Sequence, residues 1–328
     1  MNVHESARLR QMLLRAGLSS AATPQEAGVI IFQTCSIRDT AAQKVITHIH
    51  QALQVRRKMG LKQKICVIGC LDLGNVQGVD IVLGTNKLEE LVERLTGIVP
   101  DNRFGVENSI IITHGCDNFC AYCIVPYARG REWSRDVEDI VHEFEQIKET
   151  AKGPIFLLGQ NVNSYHCPRT GTNFVGLLNL LCALKGEFVV NFLSSHPKDF
   201  GWDLVECIAR NPKIERNIHL PMQSGCDKIL RAMKRGYSVA EYLGKVDMLR
   251  RAVPDVHITT DIICGFPTET DADFDETCDV VRRVRFNAAF IFPYSPREGT
   301  EAANMPQVDE RTRRARATRL IEIQRLIK

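Results

Sequence analysis

The sequence predicts an α/β protein of two domains, and three observations carry that expectation. Along most of the 328 residues, short apolar runs alternate with segments of helical period, the pattern of repeated βα units around parallel sheet. The length suits two domains at about 150 residues each. The stretch Gly97 to Val106, with Pro100 and two glycines, interrupts the alternation and places a domain boundary near residue 100.

The first element, His4 to Gly17, is helix-like, with Leu9, Met12, Leu13 and Ala16 in one apolar stripe. No strand precedes it, so the chain is expected to begin inside its first βα loop. Gly28 to Phe32, Ile65 to Gly69 and Asp80 to Leu83 read as buried strands, and Ile37 to Met59 and Leu88 to Leu95 as helices. Beyond the boundary, strand-like runs occur at Ser109 to Thr113, Pro154 to Leu158, Glu187 to Leu193, Ile214 to His219, Val256 to Cys264 and Asn287 to Phe292. Six βα units in about 200 residues suit an incomplete barrel, with an open doubly wound sheet as the competing architecture. Asp309 to Lys328 is helical in pattern and carries Arg311, Arg313, Arg314, Arg316 and Arg319.

Composition narrows the function classes. Hydrophobic residues make up 44%, enough to fill real cores, so disorder is excluded. Lys and Arg total 42 against 39 Asp and Glu. A net charge of +3 is no nucleic-acid signature, so any basic face must be local. No stretch approaches the roughly 18 apolar residues of a spanning helix, and the first ten residues hold Glu5, Arg8 and Arg10 without an apolar export segment. A cytoplasmic protein without membrane contact is expected. In such a reducing compartment, closely spaced cysteines among the twelve point to metal or cluster ligation rather than disulfides.

Directly after the strand at 109–113 comes His114-Gly115-Cys116-Asp117-Asn118-Phe119-Cys120-Ala121-Tyr122-Cys123, a Cys-x3-Cys-x2-Cys spacing. A closed zinc site or a fully ligated iron-sulfur cubane wants four protein ligands, and the next cysteine is Cys167. Three thiolates therefore suggest a cluster with one open iron, able to bind a cofactor such as S-adenosylmethionine (SAM). A zinc knuckle borrowing a distant ligand is the alternative.

The spacing, with an aromatic just before the third cysteine, resembles the radical-SAM superfamily. The resemblance implies that Cys116, Cys120 and Cys123 hold a catalytic 4Fe-4S cluster whose fourth iron binds SAM, and that reduction cleaves SAM to methionine and a 5′-deoxyadenosyl radical. It also implies SAM contacts at strand ends. Tyr122 lies in the cluster loop, Gly159, Gln160 and Asn161 end the second strand of this domain, and Ser194 and Ser195 follow the third. Gly265 ends the fifth, where a glycine would allow close approach of the adenine.

In the first domain, Cys35 and Cys70 each follow a strand, on the edge where ligands of open α/β sheets gather. From spacing alone they are ordinary thiols as readily as ligands. The stretches Met1 to Ser6, Gln33 to Arg38, Gln43 to Val45, Gly159 to Tyr165 and Tyr294 to Thr300 closely resemble the methylthiotransferase family of radical-SAM enzymes, over essentially the whole chain. Ser36-Ile37-Arg38 and GQNVNSY favour its tRNA branch over the sister enzymes acting on a ribosomal protein.

This resemblance implies a flavodoxin/Rossmann-like parallel-sheet domain over residues 1–100 and a radical-SAM partial (β/α)6 barrel over 101–328. It also implies a second, auxiliary 4Fe-4S cluster linked to sulfur delivery, with Cys35 and Cys70 as ligands. The chain departs from the family pattern at several points. The first auxiliary cysteine would fall before Met1, so the auxiliary cluster is expected to lack a ligand here, and the small C-terminal RNA-gripping (TRAM) domain is expected to be absent. Gln33 stands for a usual asparagine and Cys264 for a common valine.

The implied reaction is insertion of a methylthio group at C2 of an N6-isopentenyladenosine beside a tRNA anticodon. It would need two 4Fe-4S clusters, SAM, an electron donor and a sulfur donor, in a monomer. The alternatives are a threonylcarbamoyladenosine in tRNA or an aspartate of a ribosomal protein. A non-catalytic iron-sulfur or zinc module would instead show four protein ligands per site. Arg129, Arg131 and Arg135 follow the cluster loop among aromatics and are candidate RNA contacts, with the Arg311 to Arg319 run as a second candidate. Cys66, Cys167, Cys182, Cys207, Cys226 and Cys278 have no ligand spacing and read as core or surface thiols. His114, His196 and His219 at strand ends read as hydrogen-bonding groups rather than metal ligands.

Overall fold

The computed structural model describes residues 2–34, 39–69, 77–85, 87–100, 106 and 108–327, the side chains of 39–42 excepted. The chain divides into two compact units, residues 1–107 with 127–130, and residues 108–126 with 131–328. Periodicity gave no sign that residues 127–130 group with the first unit.

The first unit runs α1 (Asn2–Arg15), β1 (Val29–Thr34), α2 (Asp39–Met59), β2 (Lys64–Gly69), β3 (Ile81–Leu83) and α3 (Leu88–Thr96). Its three strands are parallel in the order β1-β2-β3. Central β2 is buried on both faces, as a parallel strand between helix layers must be. Ile65 and Val67 pack with Ile49 and Leu53 of α2. Cys66 and Ile68, pointing the other way by the period of two, pack with Leu9 and Met12 of α1 and Leu88, Leu91 and Val92 of α3. The apolar stripe of the first helix thus lands in this core. At the end of α3, Gly97 takes the left-handed conformation (φ 73°) that closes a helix.

The second unit runs β4 (Ser109–Ile111), β5 (Thr113–His114), α4 (Val125–Arg129, whose last three residues group with the first unit), β6 (Trp133–Ser134), α5 (Val137–Ile147), β7 (Ile155–Leu158), α6 (Phe174–Ala183), β8 (Val190–Phe192), α7 (Trp202–Arg210), β9 (Asn217–His219), α8 (Asp227–Ala232), α9 (Val239–Ala252), β10 (His257–Cys264), α10 (Asp271–Val284), β11 (Ala288–Pro293) and α11 (Glu310–Leu326). Strands β4-β7-β8 and β9-β10-β11 form two parallel sheets. Val190 joins them, its amide donating to the Lys213 carbonyl at 2.7 Å and its carbonyl accepting from the Glu215 amide at 2.9 Å. The resulting arc rises in chain order, 4-7-8-9-10-11. A doubly wound sheet would reverse its order at a switch point, so the arrangement is the incomplete barrel. Its core is formed between strands and helices, for example by Phe192 and Ile258 of β8 and β10 with Phe144, Leu177, Ile208 and Val281 of α5, α6, α7 and α10.

Strand boundaries differ from the sequence expectation in three places. The run 109–113 splits: β4 ends at Ile111, while Thr113 and His114 pair antiparallel with Ser134 and Trp133. The run 187–193 forms a strand only at Val190–Phe192, and in the run 214–219 Ile214 contributes an isolated bridge while the strand starts at Asn217. Among the described residues no helix is long and apolar enough to cross a membrane.

Candidate active site

The ribbon β5–β6 leads into the loop of Cys116, Cys120 and Cys123. Gly115 (φ 71°) and Phe119 (φ 44°) are both left-handed, which curls the loop back on itself. Cys116 and Cys120 are buried and Cys123 is half-buried. The Cys123 amide donates to the Cys120 carbonyl at 2.9 Å, and Asn118 Nδ2 donates to Cys116 Sγ at 3.5 Å. The Ala121 amide donates to the Met233 carbonyl at 3.0 Å, and the Ala121 carbonyl accepts from the Ala302 amide at 2.8 Å. Tyr122 packs beneath the loop with Ala121, Cys226, Phe266 and Tyr294.

The three thiols feel one another. Burial pushes the Cys116 thiol up, with the Cys120 charge adding to the effect. Burial pushes Cys123 up to about 12, and the charges of Cys120 and Cys116 contribute. Thiolates crowded in such a pocket need a cation to hold them ionised, which is what a metal cluster supplies. The donor set therefore fits an iron-sulfur cluster.

Two segments flank this loop within the second unit. The turn after β8 sends Lys198 Nζ to Asn118 Oδ1 at 2.6 Å. It is laced to the turn after β7: the Val162 amide donates to the Ser194 carbonyl at 3.4 Å, the His196 amide to Asn163 Oδ1 at 3.1 Å, and Asn161 Nδ2 to Asp199 Oδ2 at 2.7 Å. Ser194 is held at φ 67°. Buried Gly159 has no room for a side chain, since a Cβ there would lie 2.0 Å from Thr113 Oγ1. Gln160 is half-buried beside it.

Asn161, Ser195 and His196 are all buried. Among the described residues, Asn161 Oδ1, Ser195 Oγ and His196 Nε2 have no hydrogen-bond partner. Buried polar atoms are seldom left so in a finished fold. His196 Nδ1 accepts from the Lys198 amide at 3.1 Å, and burial with the charges of Arg235, Lys198 and Lys245 pushes the imidazole down to about 2. The ring is therefore neutral, with Nε2 open to a ligand. These atoms fit a polar cofactor such as SAM.

The turn after β10 is different. Gly265 is left-handed (φ 72°), its amide donates to Glu269 Oε2 at 2.7 Å, and a Cβ on it would lie 2.3 Å from Arg313 Cγ. The space above this glycine is filled by α11. The space left by the missing Gly265 side chain is thus taken by Arg313.

The expected RNA-contacting arginines also separate. Arg129 is buried in the first unit, with Nη1 2.8 Å from Glu5 Oε1 and Nη2 3.0 Å from Asn2 Oδ1. Arg135 donates to the Ile111 carbonyl at 2.9 Å and to buried Glu143 at 2.7 Å. Both guanidinium groups are internal ion pairs, so the expectation that they reach RNA is corrected. Arg131 is exposed, paired with Asp117 at 2.9 Å and 5.7 Å from the Phe119 ring. In the C-terminal run, Arg313 donates to the Tyr294 carbonyl at 2.6 Å, Arg316 pairs with Glu269 at 2.9 Å, Arg319 pairs with Asp275 at 2.9 Å, and Arg314 pairs with Glu310. Arg313 and Arg316 are tied into the fold, whereas Arg314 and Arg319 pair on the surface.

Cys35 and Cys70 lie outside the described residues. The residues just before them, Thr34 and Gly69, are register partners on β1 and β2, and a Cβ on Gly69 would lie 2.5 Å from the Thr34 carbonyl oxygen. Cys66, Cys167, Cys207, Cys226 and Cys278 are buried and Cys182 is half-buried. His219 hydrogen-bonds Thr259 at 2.9 Å and Asp261 at 3.3 Å, and His114 stacks on Trp133 with ring centroids 4.6 Å apart.

Residues 110–281 match the radical SAM superfamily, and residues 1–80 match the uncharacterized protein family UPF0004. The tRNA-2-methylthio-N6-dimethylallyladenosine synthase of Moorella thermoacetica is 40% identical over 100% of this chain and 81% of its own length. The enzyme of the same description from Fusobacterium nucleatum is 38% identical over 99% and 81%. The chain belongs to the tRNA-2-methylthio-N6-dimethylallyladenosine synthase family. Membership of the radical SAM superfamily implies a 4Fe-4S cluster and SAM. Two solved structures share the fold. A radical SAM methyltransferase from Kitasatospora setae has TM-score 0.62 at 13% identity, over 90% of this chain and 66% of its own. A cobalamin-dependent SAM radical enzyme has TM-score 0.60 at 12% identity, over 99% and 53%.

The sequence reading of this family member missed Arg235, whose Nη1 donates to Cys120 Sγ at 3.2 Å, and Lys198 on Asn118. The clue to Arg235 was slight: an arginine and a tyrosine around Gly236, shortly after the helix Asp227–Ala232.

Proposed function

We propose that this chain inserts a methylthio group at C2 of an N6-isopentenyladenosine beside the anticodon of a tRNA. One observation carries the reading: three thiols within eight residues, Cys116 and Cys120 buried and Cys123 half-buried, flanked by strand-end turns whose buried Asn161 Oδ1, Ser195 Oγ and His196 Nε2 have no partner among the described residues. The names of the relatives point the same way. When bound, the cluster and SAM supply one-electron chemistry able to break an unactivated adenine C–H bond, which acid-base and nucleophilic side chains cannot.

The chain's own residues hold and orient. Cys116, Cys120 and Cys123 would hold the 4Fe-4S cluster on a loop pinned by Met233 and Ala302. Gly159, Gln160 and Asn161 would receive the methionine end of SAM, and Ser194 and Ser195 its ribose hydroxyls, with neutral His196 donating from Nε2, since its Nδ1 accepts from the Lys198 amide. Tyr122 acts from below by packing the loop. Gly265 leaves the proposed SAM set, because its amide and its Cβ face are already taken. Arg131, with exposed Phe119 and Trp133 near it in sequence, would meet the tRNA by phosphate contact and base stacking. A second 4Fe-4S cluster using Cys35 and Cys70 would serve sulfur delivery, since their preceding residues are register partners on one parallel sheet. An electron donor and a sulfur donor would complete the reaction, in a monomeric cytoplasmic enzyme.

The test is nucleoside mass spectrometry of tRNA carrying N6-isopentenyladenosine, incubated anaerobically with the reconstituted chain, SAM, sulfide and dithionite. The expected result is a 2-methylthio product that appears only with SAM and reductant. Cleavage of SAM without any change in that nucleoside, while a threonylcarbamoyladenosine tRNA is modified, would overturn the substrate assignment.

A further inference from the structure

Arg235 is a buried guanidinium without a carboxylate. It is 4% exposed, and its hydrogen bonds run to Cys120 Sγ at 3.2 Å, the Tyr237 hydroxyl at 3.2 Å and the Pro221 carbonyl at 3.4 Å. The Tyr237 hydroxyl in turn donates to the Met222 carbonyl at 2.7 Å, which fixes the side of the fork facing away from the sulfur. Among the described residues no Asp or Glu lies within ion-pair distance of it. The same fold treats its other buried arginines differently: Arg135 meets Glu143 at 2.7 Å, and Arg316 meets Glu269 at 2.9 Å.

An arginine cannot shed its proton to escape this cost, and a buried cation left unpaired is strongly unfavourable. Two carbonyl or hydroxyl oxygens lower the penalty without cancelling the charge. The remaining partner is sulfur. A neutral thiol gives no counter-charge, whereas a thiolate bound to a cluster does, and the whole three-thiolate assembly carries further negative charge behind it. The fork geometry also matters, because an N–H donated to a ligating sulfur withdraws electron density from the iron it binds.

We propose that Arg235 is the fixed counter-cation of the Cys120 edge of the cluster and raises its reduction potential. The inference rests on the cluster reading of Cys116, Cys120 and Cys123. Reduction takes one electron from an external low-potential one-electron donor and leaves the cluster one unit more negative, with no bond made or broken. A positive charge one hydrogen bond from a ligating sulfur therefore favours the reduced state over the oxidised one. Arg235 is a positioning and tuning residue: it acts through Cys120 and need not touch SAM or the tRNA.

The test is an anaerobic potentiometric titration of the reconstituted full chain, read by electron paramagnetic resonance, with iron counted per chain. R235Q and R235M remove the charge, and R235K keeps it. The neutral variants should hold the cluster at a more negative midpoint, with the reduced-to-oxidised ratio at a fixed potential at least tenfold lower, which is 59 mV for one electron. R235K should recover most of the shift. A neutral variant holding a full cluster at the wild-type midpoint would overturn the proposal. If neither neutral variant holds iron while R235K holds a wild-type complement, the requirement for charge is upheld. If R235K fails as well, the site needs the shape of the fork rather than its charge, and the proposal falls. Wild-type chain that binds no four-iron cluster would instead remove the cluster reading itself, a failure visible before any variant is made.

Discussion

The turns after β7 and β8 are unfinished, and the turn after β10 is closed. At the first two, Asn161 Oδ1, Ser195 Oγ and His196 Nε2 are buried with no partner among the described residues. At the third, the Gly265 amide is given to Glu269, Arg316 pairs with the same carboxylate, and Arg313 fills the space above the glycine. All three follow parallel strands of one arc, and in sequence each looks alike: small or polar residues after an apolar run. What separates them is whether the turn's own polar groups are met: beside the β10 turn the buried Arg313 Nε and Arg316 Nε also lack partners among the described residues, but the Gly265 amide and the Glu269 carboxylate are both engaged. Polar atoms that a fold buries and leaves unsatisfied mark where something else belongs, because each costs about 1–3 kcal/mol until it is met. Saturated positions mark structure.

The comparison breaks or sharpens through stability and affinity measured together. The largest stability loss should follow G265A. The alanine would have to hold a left-handed φ, costing about 1–2 kcal/mol. Its Cβ would also overlap Arg313, including backbone, which adds about 1–3 kcal/mol of strain. Denaturant titration should therefore show a loss of roughly 2–5 kcal/mol, with SAM affinity of the folded fraction unchanged. A G265A protein that is as stable as wild type but binds SAM poorly would place the ligand at the β10 turn and reverse the assignment.

S195A should do the opposite and by less. Its hydroxyl has no partner to lose, so stability should not fall and should rise by up to about 1–3 kcal/mol as an unmet polar group is removed. SAM affinity, measured by equilibrium dialysis on the reconstituted protein, should weaken by about five- to tenfold, the value of one ordinary hydrogen bond. Loss of stability without loss of affinity would show that Ser195 belongs to the framework.

His196 supplies a pH signature. Its folded-state affinity for a proton is depressed from the ordinary 6.5 to about 2 by burial and by neighbouring cations. The stability linked to the neutral ring is thus fully present above pH 6.5 and is lost as pH falls below it, by at most about 1.4 kcal/mol per unit. H196Q should flatten the pH dependence of stability between 6.5 and 5 relative to wild type. Parallel curves for the two proteins would mean that the imidazole is not held neutral.

Much of the fold was legible because a strand buried on both faces, such as β2, writes a continuous apolar run into the chain, and a strand such as β10 alternates buried with half-buried positions. The split at Ile112 was not, because the two-residue ribbon of Thr113–His114 with Trp133–Ser134 has no period to read. The cluster loop was legible because its three cysteines are local. Arg235 was not, since its meaning depends on a sulfur 115 positions away. The misreading of Arg129 and Arg135 has the same cause: an arginine beside aromatics looks exposed until Glu5, 124 positions distant, or Glu143 is seen to bury it. Local spacing identifies ligands well; the fate of a charge is decided by tertiary partners.

The central claim, that Cys116, Cys120 and Cys123 hold the cluster at which SAM is cleaved, is tested most directly by C120A. The assay is 5′-deoxyadenosine formation under anaerobic reduction, with circular dichroism as the check on folding. The cluster loop is not part of the main core, so the fold should persist while deoxyadenosine falls to the level of a no-enzyme control. Folded C120A that forms deoxyadenosine at the wild-type yield would contradict the account.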